Sequence, residues 1–320
     1  MNRIKRAHVA ILIGIVLLIP SIETGFAKSK KKPTPKGTPV LWQRPNDISS
    51  RDLFLGPGGT SMRPDLRRIT FIKEEKGGYS KKYRVRDGSG REWVVKIGKE
   101  AQSETSAVRL LWGVGYLTEV NYLVPRVTIP GKGTFTNARF EARPDDWKRV
   151  GEWKWKQNPF TSTPQYQGLK IMMALINNWD LKDSNNVMVQ VRSDNELRYI
   201  ISDLGATFGH ASTTPLFWRI TRSRNNPSNY ATSDFLEKVK GNRVVLHFGG
   251  KNRGLMKDIT VDDAIWIAGW LAQLNDRQLK DAFRAANYRP DQVDLLTRVV
   301  RARTNELLSL RPNIQIGSGK

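Results

Sequence analysis

Between Ile69 and Ile97 apolar and polar residues alternate in three short runs: Ile69 to Glu74, Tyr83 to Arg86 and Glu92 to Ile97. Turns at Gly77 and Gly78 and at Asp87 to Gly90 separate them. A period of two, interrupted this tightly, predicts three antiparallel strands joined by hairpins. The period then changes. From Ser103 to Gly115 the apolar residues Ala107, Leu110, Leu111 and Val114 recur every three or four positions, the spacing of a helix. Leu123 to Ile129 and Thr134 to Ala142 return to strand character, so the first half reads as strands around one helix.

The second half is different. Gln165 to Trp179 places Leu169, Met172 or Met173, Ile176 and Trp179 on one side, which predicts a buried amphipathic helix ending in a polar loop. Val187 to Val191 and Arg198 to Ser202 read as short strands about a turn at Ser193 to Asn195. The segment from His210 to Gly254 has little periodicity, and only Val244 to Phe248 reads as ordered. Helices return with Thr260 and Asp263, a capping-box-like start, then from Asp276 to Asn287 and from Pro290 to about Leu310. The expected class is α+β: a strand-rich N-lobe over 41–142, a mainly helical C-lobe over 143–310 and a frayed tail over 311–320.

A chain of 320 residues with 39% hydrophobic content can bury a large core. No apolar run reaches the roughly 20 residues of a spanning helix apart from a short one at the N-terminus, which excludes a polytopic membrane protein. Cysteine is absent, which excludes disulfides, thiolate metal sites and cysteine nucleophiles. Asn2 to His8 is basic, Val9 to Pro20 uncharged and almost wholly apolar, and Gly25, Phe26 and Ala27 suit a cleavage site. Residues 1–27 therefore read as a secretory signal peptide, with an uncleaved membrane anchor as the alternative. Residues 28–40, rich in lysine and proline, read as a flexible basic tether. The expected location is periplasmic or extracellular. Lysine and arginine outnumber aspartate and glutamate by 53 to 30, and a net charge of +23 draws a chain toward anionic partners.

The most specific signal is the loop after the Gln165 to Trp179 helix. It runs Asn177, Asn178, Trp179, Asp180, Leu181, Lys182, Asp183, Ser184, Asn185, and Ser202, Asp203, Leu204, Gly205 follow two short strands later. An aspartate, a lysine two residues on, an asparagine five residues on and a later Asp-Leu-Gly resemble the catalytic and metal loops of the protein kinase-like superfamily. The Asn-Asn-x-Asp form is most similar to its atypical branches: HipA-type bacterial kinases, phosphatidylinositol kinases, and secretory-pathway and CotH-type kinases. The His-Arg that precedes the catalytic aspartate in ordinary protein kinases is Asn178 and Trp179 here, the metal-loop phenylalanine is Leu204, and no Ala-Pro-Glu follows.

The resemblance implies a two-lobed kinase-like fold and a role for each residue. Asp180 would orient a hydroxyl and accept its proton, Lys182 would neutralise the transferring phosphoryl group, and Asn185 with Asp203 would offer hard oxygen ligands to Mg2+. Upstream, Lys96 on the third strand would hold the nucleotide phosphates, and Glu104, at the opening of the following helix, would orient it. Gly77 and Gly78 sit where a phosphate-covering loop would lie, without the full glycine pattern. Implied cofactors are ATP and Mg2+. The implied acceptor is a hydroxyl on a protein, sugar or lipid, with adenylyl transfer also open. The alternative is a secreted pseudokinase that binds anionic cell-envelope polymers.

Two further features stand out. Trp147, Lys148, Arg149, Trp153, Lys154, Trp155 and Lys156 interleave aromatics with cations, either as a stacking surface or as a basic surface over buried tryptophan. Arg219, Arg222 and Arg224 follow the Asp-Leu-Gly motif, where they favour an anionic acceptor or form a solvated face. Nucleic acid is not an expected partner. His8, His210 and His247 lack ligand spacing, and no serine-hydrolase elbow, P-loop or dinucleotide fingerprint is present.

Overall fold

The computed structural model describes residues 35–214 and 219–310, so the leader, most of the tether and the tail 311–320 lie outside the described residues. The last three residues assigned to the tether are nevertheless strand β1 (Thr38–Val40). They pair in parallel with residues 196–198 far along the chain. Gly37 permits this: a Cβ there would lie 3.0 Å from the Asn195 carbonyl, and its φ of +128° suits glycine.

The predicted hairpins follow as β2 (Thr70–Glu75), β3 (Lys81–Arg86) and β4 (Glu92–Ile97), then α1 (Glu100–Gly113), β5 (Asn121–Ile129) and β6 (Gly133–Ala142). The strands form one antiparallel sheet in the order β2-β3-β4-β6-β5. Strand alternation divides the side chains between its faces. Trp93, Val95, Ala138 and Phe140 join an apolar core with Tyr83, Val85 and Tyr122. Val94 and Lys96, with Arg139 and Glu141 opposite them on β6, line a cavity on the other side.

The rest comprises β7 (Trp147–Gly151), α2 (Pro164–Leu175), β8 (Asn186–Val191), β9 (Glu196–Ile201), β10 (Ala211–Thr214), β11 (Arg219–Arg222), α3 (Pro227–Ala231), β12 (Leu236–Lys240), β13 (Arg243–Leu246), α4 (Val261–Ala272), α5 (Asp276–Arg284) and α6 (Pro290–Leu308). A second sheet has the order β1-β9-β8-β7. Ile171 and Met172 of α2 share a core with Ile267 of α4, Phe283 of α5 and Leu296 and Val300 of α6. Among the described residues no helix is long and apolar enough to cross a membrane. The architecture is α+β, an antiparallel sheet followed by a mainly helical part.

Two expectations change, and one pair of alternatives is decided. α2 ends at Leu175, four residues before Trp179, because Asn177 adopts a left-handed φ of 51°. Asparagine tolerates that conformation, and its side chain fixes the turn by donating to Gly209 O at 2.8 Å and Ser233 Oγ at 2.7 Å. The segment after His210 contains two hairpins and the short helix α3, not a single ordered run. Trp153 and Trp155 are core residues: they pack on each other and on Tyr199 and Tyr166, and Trp153 Nε1 donates to Ile200 O at 2.9 Å. The interleaved cations therefore sit over buried tryptophan, and these two rings form no stacking surface. The capping box at Thr260 and Asp263 is present, with bonds of 3.0 and 3.1 Å between each backbone amide and the other residue's side chain.

Candidate active site

Lys96 is 2% exposed, which an ammonium tolerates only beside compensating charge. Three carboxylates surround it. Its Nζ lies 2.6 Å from Glu104 Oε2, 3.2 Å from Asp203 Oδ1 and 3.5 Å from Glu100 Oε2. Burial alone would lower the Lys96 pKa, but Glu104 and Asp203 outweigh it and hold the group above its ordinary value. α1 starts at Glu100, so Glu104 stands on its second turn and not at its opening. Arg139, paired with Lys96 across the β4–β6 ladder, approaches the other oxygen of Glu104 at 3.2 Å. Glu104 is thus fixed between two cations.

Asp203 enters from the loop after β9. Its Oδ1 accepts from Lys96 and from the Gly205 amide at 3.1 Å. Burial would raise its pKa, yet Lys96 and the Gly205 N–H hold it below the ordinary carboxylate value. Gly205 serves packing as much as turning: a Cβ there would meet Glu100 Cβ at 2.7 Å, so glycine lets this loop press against α1. Leu204, where ordinary kinases carry phenylalanine, is fully buried in the core of the helical part.

Asp180 is reached by a loop stitched to the Asp203 loop. Trp179 N donates to Ala206 O at 3.3 Å, and Ser202 N and Asp203 N donate to Asn185 O at 2.8 and 3.2 Å. Asn185 Nδ2 reaches back to Asp180 O at 2.7 Å. Asp183 has a structural task, accepting from Trp155 N at 3.0 Å. Lys182 Nζ lies 2.8 Å from Asp180 Oδ2, and Lys251 Nζ lies 2.8 Å from Asp180 Oδ1. Burial would raise the Asp180 carboxyl, but the two lysines hold it below its ordinary value. Hydrogen bonding to Asp180 raises Lys182 in turn.

Lys251 escaped the sequence analysis. It follows Gly249 and Gly250 in the segment of poor periodicity, and a Cβ on Gly250 would come within 2.9 Å of Trp179 Cα. Lys251 N donates to Trp179 O at 2.8 Å, which fixes the lysine beside the Asp180 loop. A Gly-Gly-Lys sequence is the only signal that marked the position. Arg139 and Glu141 were missed as well; charges alternate along β6 without indicating which face turns inward.

One cavity of about 550 Å3 gathers these groups. Gly78, Lys96, Asp180, Lys182, Asn185 and Asp203 line it, while Glu104 stands behind Lys96 and Gly77 does not reach the wall. Gly77 and Gly78 turn with φ of +95° and +80°. Arg224 lines the cavity too: it pairs with Glu100 and lies 4.0 Å from the Tyr79 ring centre and 4.8 Å from that of Trp179. Arg222 also rests on Trp179, at 5.1 Å.

Among the described residues no cluster of three or more histidine or acidic side chains forms a metal site. Magnesium needs fewer protein ligands, because phosphate oxygens and water complete its shell. Asn185 Oδ1 and Asp203 Oδ2 accept no hydrogen bond from any described residue, which leaves an amide and a carboxylate oxygen suited to that ion.

No protein-family model matches the chain, and no curated protein is similar to it. Among solved structures it is similar to the crystal structure of a Helicobacter pylori proinflammatory kinase, CtkA, with a TM-score of 0.46 and 10% sequence identity over 77% of this chain and 95% of that one.

Proposed function

We propose that this chain is a kinase-like phosphotransferase that moves the terminal phosphoryl group of ATP to a hydroxyl acceptor. The observation that carries the proposal is the convergence of Lys96, Glu104 and Asp203 at one side of a cationic cavity whose other side holds Asp180, Lys182 and Asn185. Lys96 and Asp203 are 107 residues apart, and the fold brings them within 3.2 Å.

Lys96, oriented by Glu104, would hold the inner phosphates. Asp180 would align the acceptor hydroxyl and receive its proton as the new O–P bond forms and the bond to the β-phosphate bridging oxygen breaks, releasing ADP. Both Asp180 oxygens carry a lysine here, so an arriving phosphate offers each ammonium a second anionic partner and frees the carboxylate for the hydroxyl. Asn185 Oδ1 and Asp203 Oδ2 would hold magnesium, which when bound places positive charge against the phosphate oxygens. Positioning and charge neutralisation make up most of such catalysis. The leader-like residues 1–27 and the lysines after them support an exported protein, with a retained membrane anchor as the alternative.

The direct test is the melting temperature of the full chain with and without millimolar ATP and Mg2+, for wild type and Asp203→Ala. Stabilisation by several degrees in wild type, lost in the variant, is expected. No shift in either protein would sink ATP-dependent transfer. The surplus of cations in the cavity, and the lysines already seated on Asp180, favour the second reading of a nucleotide-independent binder of anionic polymers. Binding that weakens steeply with salt and ignores nucleotide would establish that reading.

A further inference from the structure

The cavity offers a nucleobase little apolar surface to lie against. Among the described residues lining it, Val94 is the one aliphatic side chain. Its aromatic members, Tyr79 and Trp179, already carry the Arg224 guanidinium at 4.0 and 4.8 Å. Beyond Val94 the wall is ionic. Glu141 receives Arg139 at 2.6 Å and Arg149 at 2.9 Å, and Arg143 also pairs with it. Arg149 reaches Ser202 Oγ at 3.4 Å and pairs with buried Glu119.

The backbone amides at the end of β6 are engaged as well. Where β6 leaves the sheet, Ala142 N donates to Val120 O at 2.9 Å and Arg143 N donates to Glu92 O at 3.1 Å. Neither amide is left to donate to the edge of a base. What remains for the base is the guanidinium plane, which stacks on any aromatic face and donates to ring-nitrogen or carbonyl acceptors that every base carries. The phosphates face a different situation. Eight lining side chains are cationic against four carboxylates, a surplus equal to the charge of a fully ionised nucleoside triphosphate.

We infer that the cleft holds its nucleoside triphosphate by the phosphates and does not discriminate between adenine, guanine and cytosine. This rests on the phosphoryl-transfer reading and narrows its donor. Three bases that differ in hydrogen-bonding edge but share a π-face and the same triphosphate are then equivalent ligands.

The experiment is titration calorimetry of the full chain with ATP, GTP and CTP, each with Mg2+, followed by displacement of bound ATP with inorganic tripolyphosphate. Affinities within about threefold of one another, and displacement by tripolyphosphate, are expected. Arg143→Met, confirmed folded by its melting curve, should weaken ATP and GTP by the same factor, roughly three- to tenfold, and weaken tripolyphosphate by less. A preference of about tenfold or more for ATP overturns the inference while phosphoryl transfer stands. Failure of tripolyphosphate to displace ATP, or equal weakening of tripolyphosphate by Arg143→Met, also overturns it. Binding of no nucleotide at all removes both.

Discussion

Lys96 and Lys182 each end within hydrogen-bonding distance of a carboxylate on the same cavity, at 2.6 and 2.8 Å, yet their side chains are 2% and 44% exposed. The first pair is enclosed by β4, α1 and β6, where any charge must be matched in place. The second stands at the open side, where water reaches the ammonium. Similar pairing therefore has two consequences: Lys96 is held in place by its surroundings, while Lys182 and Lys251 can exchange one anion for another.

The comparison breaks most visibly at Glu104. Glu104→Ala would leave Lys96 and Arg139 enclosed without their shared carboxylate, and unfolding in urea should show a loss of about 3–5 kcal/mol. A midpoint within error of wild type would show that the enclosed pair is not what holds this corner together. Lys182→Ala and Lys251→Ala test the opposite side. Each should cost only about 0–1 kcal/mol of stability. Phosphoryl transfer by each variant should fall by roughly 10²–10³-fold in kcat, as when one preorganised donor is removed from a developing charge. Transfer that survives both substitutions would make the lysines mere counter-ions.

Acid sharpens the contrast with a smaller effect. The Asp180 and Asp203 carboxyls are lowered from an ordinary value of 3.8, so their stabilising contribution is complete above that value. It disappears as pH falls through the lower folded value, when the folded state takes up the proton it had excluded. Melting temperatures of wild type and Asp203→Asn should keep a constant separation from pH 7 to 5 and converge only in stronger acid. Convergence already complete at pH 5 would contradict the direction of both shifts.

Much of this was legible in the chain. Alternation fixed β2, β3 and β4 because each has one apolar face and a turn residue at its end, and the kinase-like motif order pointed to Lys96, Glu104, Asp180, Asn185 and Asp203. α2 was read too long because helical spacing continues to Trp179, while the left-handed Asn177 that ends the helix is set by contacts with Gly209, Ser233 and Arg303. Lys251 was illegible for a related reason. Its segment owes its order to Trp179 and the core beneath β13, so no local period announces it. Arg139 and Glu141 lie in a readable strand, but alternation alone could not say that the charged face turns inward.

The pairing of β1 with β9 has a temporal consequence. Thr38–Val40 closes the edge of a sheet whose partner residues, 196–198, lie well past the middle of the chain. A polypeptide that emerges from its N-terminus exposes β1 early and β9 much later, so this edge can form only after residue 198 has been made. Residues 38–40 thus wait for their partner while 155 further residues are made, and the sheet from which the Asp203 loop departs is closed by a segment made long before it.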